Sequence, residues 1–161
     1  MFNKKIILWG LLLLFITVSF SPINATEYEG YTINVNGFNF NMINGYEQDY
    51  ESIINEDSTN LYGDPIHSYT VSFNGEDGSV TISIMTRYSE PFTQEDALDA
   101  GSNNQYITST VENIGGKTGK LVEDRSLGHS EYSFWYVEDG VEIVIDSDSV
   151  DKIEYVISNA N

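Results

Sequence analysis

The chain has 161 residues, of which 25 are acidic and only seven basic, for a formal net charge of −18, and it contains no cysteine. Such an excess of carboxylates disfavours nucleic acid and anionic lipid as partners, because phosphates must be neutralised by Lys and Arg. Without a thiol, disulfide staples, a cysteine nucleophile and a lipid-anchored lipoprotein terminus are all excluded.

The chain opens with Lys4 and Lys5, followed by the uncharged apolar run from Ile6 to Phe20. Ser21, Pro22 and Ile23 interrupt that run, and Ala25 supplies a small residue for cleavage, so residues 1–25 read as a secretory signal peptide. A membrane-spanning helix needs roughly 20 apolar residues, and this run is shorter and ends at a proline. Cleavage and a secreted or extracytoplasmic destination are therefore favoured over an uncleaved anchor. Cleavage removes two of the seven basic residues and none of the acidic ones, leaving 26–161 with a net charge of −20 and 17 aromatic residues. Acidic chains poor in aromatics tend to be disordered. This one keeps its aromatics and many Val and Ile residues, and one folded domain over 26–161 is expected.

Past a short lead-in at 26–29, Tyr31, Ile33 and Val35 alternate with polar residues, the period of a half-buried strand. Asn36-Gly37 signals a turn, and Phe38 and Phe40 resume the alternation. Residues 44–64 show weak periodicity and read as an irregular loop with a helical turn near Tyr50 to Ile54. His67, Tyr69, Val71 and Phe73, then Val80, Ile82 and Ile84, predict a hairpin joined by a four- or five-residue loop. Thr93 with Asp96 three residues later predicts a capped helix, stopped by Gly101 and the Ser-Asn-Asn after it. Ile107 to Val111, a Gly115-Gly116 turn and Lys120 to Val122 follow as strand, turn and strand.

Asp139-Gly140 is the strongest turn signal, since a type I′ turn needs positive φ at both central residues. Counting outward from it pairs Tyr136 with Ile143 and Phe134 with Ile145 on one face, and Trp135 with Val144 on the other. Apolar groups on both faces predict a central hairpin covered on two sides, with Trp135 buried. A terminal helix is expected from Val150, Ile153, Val156 and Ile157 at helical spacing, capped by Asp148 or Ser149.

Three local features occur together here: Gly37-Phe38-Asn39-Phe40 before Asn44-Gly45-Tyr46; Ile114-Gly115-Gly116-Lys117 with Gly119; and the aromatic strand from Tyr132 to Tyr136 running through Asp-Gly into Val141 to Ile145 and the final helix. The arrangement over about residues 30–158 resembles the PsbP-like domains, including small exported versions in prokaryotes. Where that family's opening tends to carry proline, this chain has Ile43 or Asn44. The resemblance implies an α+β fold, an antiparallel β-sheet with helices packed on its faces, and a non-enzymatic assembly or interaction role. It carries over no site residue and names no partner.

Few groups here suit catalysis. His67 and His129 are the only imidazoles. His129 lies near Ser126, Ser130 and Glu131, but a triad is defined by geometry rather than adjacency, and a solvated turn histidine is the preferred reading. His67 reads as the start of a strand. Paired carboxylates could serve an extracytoplasmic hydrolase, yet with 25 acids some pair always falls at a suitable separation. Calcium is an alternative at Asp146, Asp148 and Asp151, or at Asp57 and Asp64. The first cluster lacks the glycine of an EF-hand loop, and helix capping accounts for Asp148. Tyr28, Tyr31, Tyr46, Tyr50, Tyr62 and Tyr69 crowd the first half of the domain and form the best guess for a contact surface, against a plain packing role for several. The sequence assigns no catalytic, cofactor-binding or metal residue, and leaves a binding module for an unidentified protein or surface ligand as the expected function.

Overall fold

The structure, a computed structural model, describes residues 28–60 and 63–158. The proposed signal peptide, residues 1–25, lies outside the described residues, as does Tyr62. Among the described residues no helix is long and apolar enough to cross a membrane.

Antiparallel sheet dominates. A two-stranded ribbon of β1 (Gly30–Val35) and β2 (Phe38–Ile43) precedes a seven-stranded sheet of order β3-β4-β5-β9-β8-β7-β6. Its strands are β3 (Glu47–Thr59), β4 (Pro65–Gly75), β5 (Gly78–Arg87), β6 (Ile107–Ile114), β7 (Lys117–Asp124), β8 (Glu131–Glu138) and β9 (Val141–Ser147). Two short helices, α1 (Gln94–Leu98) and α2 (Val150–Ile157), complete the domain. The β1–β2 turn holds Asn36 at φ 46° and Gly37 at φ 96°, and the β8–β9 turn holds Asp139 at 51° and Gly140 at 78°. Both are left-handed pairs that Asn, Asp and Gly tolerate, as the turn chemistry requires.

The β8–β9 turn fixes the register of the central hairpin. Tyr136 lies opposite Ile143, Phe134 opposite Ile145 and Trp135 opposite Val144. Strand alternation then sorts the sheet into two faces. On one face Val71, Phe73, Val80, Ile82, Ile84, Phe134, Tyr136, Ile143 and Ile145 are buried in one cluster with Phe40 and Met42 of β2 and Ile153, Val156 and Ile157 of α2. Gly119 of β7 is required beside this cluster, because a side chain there would run into the Phe134 ring and the Trp135 carbonyl.

Several expectations need correction. Residues 44–64 are not an irregular loop with a helical turn, because Glu47–Thr59 is a 13-residue edge strand. Its side chains are mostly exposed, so no apolar alternation marks it, and backbone pairing with β4 makes it a strand. A register irregularity does fall between Asp49 and Ile54, where Ser52 Oγ donates to the Asp49 carbonyl and accepts from the Ser72 N–H. The β4–β5 loop is only residues 76–77, because Gly75 pairs with Gly78. Strands β6 and β7 run on to the Gly115-Gly116 turn, through the glycine and polar residues that interrupt their pattern. Trp135 is only partly buried, so the second face of the central hairpin is half covered.

Candidate functional site

That half-covered face holds the candidate site. Chain alternation brings Met85 and Arg87 of β5, Glu142 of β9, Trp135 of β8 and Ile66 of β4 to one side. After Arg87 the chain crosses this side on its way to β6. It is tethered where the Phe92 N–H donates to the Gly140 carbonyl at 2.9 Å, and Gln94 donates to the Thr118 carbonyl at 2.8 Å. Gly140 is needed there, since a side chain at φ 78° would also meet Pro91. Helix α1 then forms against β7 and β8. Its Thr93 cap is as the spacing predicted: Asp96 N–H reaches Thr93 Oγ1, and the Asp96 carboxylate accepts from the Thr93 N–H at 2.6 Å.

With Phe92 and Ala97 buried, the crossing segment encloses a half-open cavity of about 430 Å³. Trp135, Met85, Phe92, Ile66, Ala100 and Gly101 supply most of its wall, and Arg87, Asp96, Asp99 and Glu142 its charged groups. A smaller cavity of about 280 Å³ adjoins it, sharing Arg87, Asp96 and Asp99 and adding Asp64 and Glu90. The mouth is therefore acidic.

The charged groups differ in how they are used. The side chain of Arg87 is buried; its Nη2 donates to Asp96 Oδ1 at 3.0 Å, its Nε lies 3.5 Å from Asp64 Oδ2, and its guanidinium sits 4.2 Å from the Phe92 ring centre. Burial alone would lower its pKa, and Asp96 with the neighbouring acids raises it instead. Asp96 likewise resists burial: its bonds to Thr93 and Arg87 hold its carboxyl below the usual carboxylate range. Arg87 and Asp96 thus occupy one another.

Glu142 has no such arrangement. It is 7% exposed, lines the cavity, and accepts no hydrogen bond among the described residues. Burial first, and the charge of Asp96 second, push its carboxyl up to about 7 against the pull of Arg87. A buried carboxyl without a partner is costly to ionise.

The residues singled out from sequence lie elsewhere. His67 pairs with Asp57 at 2.8 Å, and Asp57 also accepts from the Tyr88 hydroxyl at 2.6 Å. His129 pairs with Glu131 at 3.0 Å, while Ser130 donates to Glu123 and Ser126 accommodates Asp124 through its backbone N–H. The three carboxylates near the C-terminus are not gathered: Asp146 accepts from Ser133, Asp148 pairs with Lys152 at 2.9 Å, and Asp151 is exposed. Asp148 does not cap α2, whose cap position is Ser149 without a side-chain cap bond. Its carboxylate goes to Lys152, one helical turn on. Asp64 binds Asn60 and faces Arg87, apart from Asp57. Among the described residues no three His, Asp or Glu side chains are grouped to hold a metal ion.

Nor do the tyrosines form one platform. Tyr46 is buried and donates to Asp77 at 2.8 Å, Tyr69 packs against the core, Tyr28 meets Tyr155 edge-on, and Tyr31 donates to the Tyr46 carbonyl. Tyr50 is exposed, on the edge strand.

Sequence reasoning passed over Glu142 and Arg87. The signal for Glu142 was present: the parity that puts Trp135 and Val144 on one face puts residue 142 there too, an acid directly before the apolar run Ile143 to Ile145. Comparison of the chain with family models, with curated proteins and with solved structures gave no match.

Proposed function

We propose that this domain is a non-enzymatic binding module, exported behind residues 1–25, that holds a small ligand in the cavity under α1. The carrying observation is the cavity itself: about 430 Å³, mainly apolar in its wall, with one buried carboxyl that has no hydrogen-bond partner among the described residues. Ligand sites are typically concave and apolar with a few placed polar groups. A hydrolase would need a second working acid beside Glu142, and Asp96 is the acid whose charge acts on Glu142. Asp96 is already engaged by Thr93 and Arg87, which favours binding over catalysis.

The finer fold reading belongs with this proposal. We take α2 and α1 as covers for opposite faces of the sheet, α2 over the aliphatic cluster and α1 over Trp135. That two-sided cover supports the PsbP-like resemblance and its interaction role. Protein recovered after export is expected to begin near Thr26; a full-length chain in the membrane fraction would contradict export.

The binding reading is tested by two-dimensional NMR with a library of neutral and charged aromatic fragments. Shifts gathered on Trp135, Met85 and Glu142, and lost in a cavity-filling Ala100→Phe variant, are expected. Shifts confined to other surfaces, or none, would overturn it.

A further inference from the structure

The geometry points to an organic cation, a small ammonium with an apolar aromatic or alkyl body, as the ligand of this cavity, its nitrogen paired with the Glu142 carboxylate. This rests on the binding reading above and names the chemical class of its ligand.

Three observations carry it. Glu142 is more than nine-tenths buried, lines the cavity and has no hydrogen-bond donor among the described residues. An ammonium supplies both the donors and the charge that such a carboxylate lacks, and charge-assisted bonds of this kind are the strong ones. Next, the charges around the cavity are mostly of one sign. Asp96 on α1, Asp99 just after it, and Asp64 and Glu90 at the mouth face a single cation, Arg87 of β5. From β8 and β4 come only Trp135 and Ile66. Arg87 is already held by Asp96 and stacked on Phe92, and its Nε is closed off from solvent, so it is not placed to receive an anion. An acidic mouth also raises the local concentration of cations. Finally, Trp135 lines the wall, and Trp is the best aromatic partner for a cation.

Binding is then linked to a proton. Glu142, raised to about 7 by burial, must ionise to pair with the ammonium, so a proton leaves as the cation enters. Affinity for the cation should fall about tenfold from pH 8 to pH 6, while a neutral isostere shows no such trend.

The test is a fluorescence titration of the Trp9→Phe protein, in which Trp135 is the sole tryptophan. The probes are phenethylamine, its neutral analogue 2-phenylethanol and the anion 3-phenylpropionate, each at pH 6 and pH 8. The amine should bind at least about tenfold more tightly than the alcohol at pH 8, and the anion weakest. The isosteric Glu142→Gln should erase the preference for the amine and its pH dependence. If amine and alcohol bind equally at both pH values, the cavity is a ligand site but the cation assignment is wrong. If none of the three perturbs Trp135, the cation assignment falls together with the cavity. Should Glu142→Gln fold poorly, the ratio of amine to alcohol across pH in the parent protein decides alone.

Discussion

Lys152 and Glu142 are both buried charged residues, and the fold treats them in opposite ways. Lys152, on α2, points to the β4–β5 turn. Its Nζ donates to the Asp77 carbonyl at 2.7 Å, pairs with Asp148 at 2.9 Å, and lies 5.6 Å from the Tyr46 ring centre. Burial alone would lower its pKa, but the Tyr46 hydroxyl and Asp148 outweigh that and raise it. Glu142, in the cavity wall, has neither a donor nor a cation bonded to it among the described residues. The lesson concerns purpose: a buried charge that is fully satisfied serves the fold, whereas one left open is a cost that the fold alone does not explain.

The same contrast runs through the two faces of the sheet. The face toward β2 and α2 is close-packed aliphatic and aromatic, with Phe134 stacked on Tyr136 at 5.7 Å. The opposite face carries a ladder of hydroxyls, Thr70 with Ser83 and Ser72 with Thr81, and then the cavity. One face holds the domain together, and the other carries the cavity proposed as the binding site.

Four substitutions test this division. The largest effect is expected at Phe134, which is fully buried: Phe134→Ala should cost about 3–5 kcal/mol in chemical unfolding, and a loss under about 1 kcal/mol would mean that the cluster is not the core. Lys152→Met should cost about 2 kcal/mol, less than a fully buried pair, because Asp77 and Asp148 are exposed enough to rehydrate. A gain in stability would show that the Lys152 contacts with Asp77 and Asp148 do not hold α2 to the β4–β5 turn.

Glu142→Gln should act with the opposite sign and only at higher pH. The carboxyl is raised from 4.5 to about 7, so the folded protein keeps a proton that the unfolded chain releases between those values. Stability from this group therefore falls as pH rises from about 4.5 to 7, and the cost is complete above it. The variant should be more stable by about 2 kcal/mol at pH 8, allowing for water at the cavity mouth, and unchanged at pH 4. Equal effects at both pH values would contradict the buried-acid account. The smallest change is expected at Trp135, where Trp135→Ala should cost about 1–2 kcal/mol, because the ring is only partly buried. A loss near 4 kcal/mol would mean that this face is core like the other.

How much of this was legible in the sequence depends on which force makes each element. The Asn36-Gly37 and Asp139-Gly140 turns are dictated by φ, a property of the residues themselves, and the central register followed from counting. The Thr93–Asp96 cap is equally local. Strand β3 was illegible because its order comes from β4, and its own residues, among them Glu51, Glu56 and Asp57, show no buried side. The cavity was hidden for a similar reason. Arg87, Glu142 and Trp135 lie on three strands and meet only through the order β5-β9-β8, which no local pattern announces. The clusters that did stand out, the C-terminal aspartates and the crowded tyrosines, are near in sequence but dispersed among separate partners in space.

Whether Glu142 is a buried carboxyl kept open for a cationic ligand is decided by a ¹³C NMR titration of its side-chain carboxyl. The account predicts a midpoint near pH 7 in the free protein, moving to lower pH when phenethylamine is added. A midpoint near 4.5, or one near 7 that the amine leaves in place, would contradict it.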